Sequence, residues 1–131
     1  MNQKHLDLSK QFNAFAYDLV QNEYIAKENI TSLKNDILFR RVIYNKYYYA
    51  LYHKYLAYDD NLSTKSGSSK HDAILTKIKG CNDPKLFQVF TKLLNLRIWA
   101  DYNPENNAPP INLITLNQEI WSIIKRTNIN C

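Results

Sequence analysis

The chain has 131 residues and a mass of 15.5 kDa, the size of one ordinary domain with no room for a second. Ten residues are Tyr and only two, Gly67 and Gly80, are Gly, so no glycine-rich phosphate loop can be drawn, and a many-turned β-sandwich is disfavoured. The net charge is +5, of which residues 34–70 hold +4 (seven Lys/Arg against three acids), a local footprint suited to a polyanion such as RNA or to an acidic partner.

Helical periodicity runs through the chain. Leu6, Phe12, Phe15, Ala16, Leu19 and Ile25 recur at three- and four-residue steps and predict one amphipathic helix over 5–28. The polar stretch 29–35 breaks it, and Asn35 or Asp36 offers an N-cap for the next helix. That helix, reaching Asp60, is the most apolar and aromatic segment, without Gly or Pro, and reads as central and largely buried. Residues 61–70 are Ser-rich and read as a loop. His71–Lys79 follows as a short helix, with Gly80 placed to cap its end. Asp83-Pro84 is a helix start, Asp at the cap and Pro in the first position, and the pattern continues to Tyr102. NPENNAPP (103–110) forms a surface connection. The last helix, 113–127, carries Leu113, Leu116, Ile120 and Ile124 on one stripe and ends in Lys125-Arg126, suited to a helix C-terminus. The expected fold is all-α: four main helices in a bundle, with one short extra helix, in a single domain.

Several chemistries find no support. Cys81 and Cys131 stand far apart, match neither a metal spacing nor a disulfide framework, and read as unpaired reduced thiols. His5, His53 and His71 form no zinc pattern, so no metal or other cofactor is expected. No apolar run approaches a membrane span, and the polar N-terminal stretch lacks a signal-peptide core, which points to the cytoplasm.

Seven of the ten tyrosines fall between 44 and 58. Projected at about 100° per residue, Phe39, Val42, Ile43, Lys46, Tyr49, Ala50, His53 and Ala57 share one face. The stripe is apolar except for Lys46 and His53, and these stand roughly 10 Å apart along the axis. Arg40, Tyr47, Lys54 and Tyr58 fall on another side, which reads as solvent-facing. A core histidine bonded to a neighbour and a lysine stem packed on apolar surface would also explain the pair. Unpaired buried cations are costly, however, so the pair is expected to face a cleft or a wet interface. Arg97 and Asp101, at i and i+4, have the spacing of an intrahelical ion pair and read as structural support. His71 reads as an exposed residue near a helix start.

NKYYYALYH (45–53) resembles the small-residue/Arg/Ala/Tyr/Tyr/Ala/x/Phe/His signature of HEPN domains. SKHDAI (69–74) is similar to the start of their third helix, and LRIWADYNP (96–104) to the close of their fourth. The three stretches keep the family order, and the resemblance covers roughly 12–128. It implies an up-and-down helical bundle that forms homodimers. Many members are metal-independent endoribonucleases whose Arg and His meet across the dimer in one composite site. Such proteins occur in toxin–antitoxin pairs with nucleotidyltransferases, in CRISPR-associated effectors and in other antiviral defence systems.

Mapped by this resemblance, His53 takes the acid/base position and Lys46 stands where the family carries Arg. Lys keeps the charge without the planar fork. Tyr49 and Asn45 would contact the RNA. His53-Lys54-Tyr55 also resembles the His-x-Tyr ending of some toxin members, whose Tyr is modified by the partner transferase. The rival reading is a catalytically degenerate module that binds or assembles with a nucleotidyltransferase or a defence effector. A third, a small-ligand pocket between helices, has only the aromatic lining in its favour.

Overall fold

The computed structural model describes residues 2–59, 69–105, 107, 109 and 111–124. Its elements are α1 (Gln3–Gln21), α2 (Glu23–Asn29), a 3-10 turn (Thr31–Lys34), α3 (Asp36–Tyr58), α4 (Ser69–Gly80), α5 (Pro84–Tyr102) and α6 (Leu113–Ile124). No strand occurs among the described residues, so the all-α class is met. The 61–70 loop lies outside the described residues except at Ser69 and Lys70, which are helical, and Lys125-Arg126 lie outside them too.

Local chemistry explains the boundaries. The Asn35 side chain accepts hydrogen bonds from the amides of Ile37 and Leu38, at 2.9 and 3.2 Å, and so starts α3. Asn35→Ala is expected to cost about 1 kcal/mol, read as a lower urea midpoint with unchanged slope. Asp83 caps α5 through the Leu86 amide, with Pro84 in the first turn. The single helix expected over 5–28 is two helices instead. Asn22 leaves the helical region (φ −117°, ψ 35°), and its side chain donates back to the Asp18 carbonyl, an example of a short amide competing with the backbone ladder. Gly80 is the last residue of α4 rather than a left-handed cap beyond it.

The core is organised around α3, which packs chiefly on α1 and α5 and also meets α4, α6 and the 3-10 turn. Neighbours on so many sides bury most of its circumference, including Tyr44, Tyr47, Tyr48, Leu51 and Tyr55. The expectation that Tyr47 and Lys54 face solvent is therefore corrected: they are 0 % and 6 % exposed. Tyr47 donates its hydroxyl to Asn117, and Lys54 donates to the Ile124 carbonyl, so both are tied to α6. Arg40 donates to Tyr44 and to the Ile111 carbonyl. Arg41 donates to the carbonyls of Trp99, Ala100 and Glu105 and lies over the Trp99 ring. These two arginines anchor the end of α5 and the connection after it, satisfying carbonyls that a helix end leaves open. On α1 the buried side is Leu6, Ser9, Asn13, Ala16 and Val20, while Phe15 is left exposed.

Cys81 is disulfide-bonded, which corrects the expectation of two reduced thiols. Cys131 lies outside the described residues. No helix of the described residues is long and apolar enough to cross a membrane.

Candidate functional site

One wall of the helical structure gathers the three histidines, although 48 residues separate the first from the second. The register of α1 on α3 sets His5 Nδ1 2.9 Å from His53 Nδ1, and the two rings stack with centroids 5.1 Å apart. One of these nitrogens must donate and the other accept, so the neutral pair holds a single shared proton between the rings. The second nitrogens then differ: one Nε2 is bare and the other carries a hydrogen. From α4, His71 stacks on Tyr52 at 4.8 Å, and its Nδ1 is hydrogen-bonded to the Tyr48 hydroxyl. Tyr52 also meets His53 edge-on at 5.1 Å, so its ring joins the two histidine groups. His71 is half-buried in this aromatic packing, not the exposed residue its position beside the loop suggests.

Burial is the first cause acting on all three histidines, and it disfavours their charged forms. His53 is lowered to about 4 by burial, then by His5 and Lys70. His5 is lowered by burial and Lys70. His71 is lowered by burial and Arg97, against a smaller opposing pull from Asp72. All three are neutral at pH 7.

The sign for stability follows. The unfolded chain takes up a proton near pH 6.5 that folded His53 refuses until about pH 4, so stability falls as pH drops through that window. With allowance for the ring's partial exposure, the expected loss from His53 is about 1–2 kcal/mol. Urea unfolding at pH 7 and pH 4.5 measures it, and His53→Gln should flatten that dependence.

Cations frame the cluster. The Lys46 ammonium lies over the Phe12 ring, 5.1 Å from its centroid, and the same ring packs on His53 at 5.6 Å. Lys46 and His53 thus flank one phenylalanine of α1, and no carboxylate pairs with Lys46 among the described residues. Arg97 pairs with Asp101 through Nε at 3.2 Å, the i,i+4 pair its spacing suggests, although this contact lacks hydrogen-bond geometry. Its Nη2 donates to the Tyr49 hydroxyl at 3.2 Å, and the guanidinium lies over the Tyr48, Tyr49 and Tyr102 rings. Tyr49 in turn packs against both His53 and His71, at 6.2 Å each. Arg97 therefore reaches the aromatic wall of the cluster. Asn45 is set apart from it: its amide donates to Asp101 at 3.0 and 3.3 Å.

The sequence pointed to His53, Lys46 and Tyr49 as site residues and to Arg97 as structural support, but not to His5, Tyr52 or Lys70 as members of this wall. Their signal is absent from any local pattern, because each arrives from a different helix or face. Tyr55, the residue of the His-x-Tyr ending, is only 2 % exposed and closed to a modifying enzyme in this fold. Among the described residues no group of three or more His, Cys, Asp or Glu is placed to hold a metal. Comparison with protein-family models, curated proteins and solved structures gives no match to this chain.

Proposed function

We propose that this chain is a HEPN-like endoribonuclease that cleaves RNA without a metal, as an up-and-down four-helix module acting in a homodimer. The observation that carries the reading is the neutral His5–His53 pair, flanked by Lys46 and by the Arg97-bound Tyr49. A bare imidazole nitrogen takes the proton of an RNA 2′-hydroxyl, and the oxygen attacks the adjacent phosphorus. The leaving 5′-oxygen takes a proton from the second ring, giving a 2′,3′-cyclic phosphate and a 5′-hydroxyl. Transfer of the shared Nδ1 proton from the first ring to the second restores both to neutrality, with their roles exchanged. Lys46, with Arg97 behind Tyr49, supplies positive charge for the pentacovalent phosphorane, and Tyr49 and Tyr52 offer faces on which a base stacks.

In this reading the chain belongs to a toxin–antitoxin or CRISPR-type antiviral defence system, with a nucleotidyltransferase or an effector complex as partner. Its action would be cytoplasmic, where its RNA is. The disulfide at Cys81 belongs to more oxidising surroundings and pulls the other way.

The test is purified protein with RNA in excess EDTA. Cleavage giving cyclic-phosphate ends, and lost in His53→Ala, is the expected result; cleavage that His53→Ala leaves intact would sink the assignment. One observation favours a second reading, a non-cutting binding or assembly module. Lys46 is a point charge held over Phe12, without the bidentate fork of an arginine. A wild-type chain that binds RNA without cutting it, and cuts once Lys46→Arg is made, supports that reading.

A further inference from the structure

A second concave feature touches none of the histidines. It is a groove of about 850 Å³ between α1 and α6, with Lys54 of α3 in its lining, and it falls within the range of small-molecule sites. Its open side carries apolar Tyr17, Ile114 and Trp121, which are 42 %, 60 % and 50 % exposed, alongside exposed Lys10, Asp18 and two glutamines. Its depth is polar. Lys54 is 6 % exposed, Asn117 6 % and Asn13 4 %.

The hydrogen bonds of these deep groups are incomplete. The Lys54 ammonium has three N–H groups and donates one to the Ile124 carbonyl. No carboxylate pairs with it among the described residues, and burial, with Lys10 nearby, pulls its pKa down. Asn117 accepts the Tyr47 hydroxyl on its Oδ1, which commits the amide orientation and leaves the N–H groups as donors. Asn13 Oδ1 is buried without a partner. A buried cation without an anion is costly, and so is a buried amide without a partner. A ligand that brings an anion to this depth removes the first of those costs.

We propose that the groove binds a monocarboxylate with an apolar body. The carboxylate meets the Lys54 ammonium and the Asn117 amide, and the body lies along Tyr17, Ile114 and Trp121. One buried cation matches one negative charge, whereas a phosphate dianion would bring a second charge into a wall with no second buried cation. The proposal is independent of the nuclease reading, and its failure would leave that reading untouched.

Decanoate, with decanol as its neutral counterpart, is the probe, followed by calorimetry below the micellar range. Wild-type protein is expected to bind decanoate saturably, more tightly than decanol, and to melt at a higher temperature with it. Lys54→Met should weaken decanoate about 10- to 100-fold and leave decanol unchanged. Trp121→Ala, at an exposed position that the fold tolerates, should weaken both ligands together, which keeps the test open if the Lys54 variant fails to fold. The proposal is overturned if decanoate does not saturate, if decanol binds wild type as tightly, or if either variant binds decanoate as wild type does. It is overturned equally if the free protein is a dimer that binds decanoate only upon dilution to monomer, which would assign the groove to a second copy.

Discussion

On the proposed ribonuclease reading, RNA cleavage in EDTA should fall about 10²- to 10⁴-fold when His53 is replaced by Ala, the range for loss of a general acid–base group. The reason is specific to this wall. His53 shares a proton with His5 at 2.9 Å, so its removal takes away one ring of the pair and the proton path between them. A base must be unprotonated to work, and folded His53 stays so down to about pH 4. Wild-type activity should accordingly persist on the acid side well below pH 6.5, instead of fading there as an unperturbed histidine would. An acid limb near pH 6.5 would show that the ring doing the work is not the one held neutral here. Circular dichroism should show helical content unchanged in His53→Ala, which separates lost chemistry from lost fold.

Tyr48→Ala should be the most destabilising single change in the cluster, at about 3–5 kcal/mol. That is a large share of the 5–15 kcal/mol by which a domain of ordinary stability stays folded. Tyr48 is fully buried and meets Tyr49, Tyr52, His71 and Phe90 with its ring, so truncation leaves a cavity where α3, α4 and α5 converge. Its hydroxyl also bonds His71 Nδ1. Tyr48→Phe keeps the ring and strands that nitrogen, for a smaller loss of about 1–3 kcal/mol. Chemical denaturation of both variants checks the order: Phe between wild type and Ala. Equal losses would mean that the hydroxyl, not the ring, carries the contribution.

The helical class and the sharpest boundaries were legible in the sequence because they depend on neighbours along the chain. Asn35 and the Asp83-Pro84 pair start their helices by bonding amides two or three residues ahead, and such short-range chemistry reads directly from residue order. The Arg97–Asp101 spacing was equally local. Where local signals compete, the same reading failed. At Asn22 a side-chain bond to Asp18 ended a helix whose apolar periodicity continued past it.

What only the tertiary structure decided is which side of α3 is inside and which residues it brings together. An amphipathic stripe assumes one buried face, but α3 is enclosed on most sides, so Tyr47 and Lys54 went to the core against that pattern. The same enclosure placed Lys54, which has no carboxylate partner among the described residues, at the bottom of a groove. Residue order identified His53, and the register of α1 against α3 supplied its partner, since no pattern within either helix ties position 5 to position 53. The ten tyrosines and scarce glycines of the sequence pointed to an aromatic helical core; packing determined that several of those rings would form the wall around the histidines.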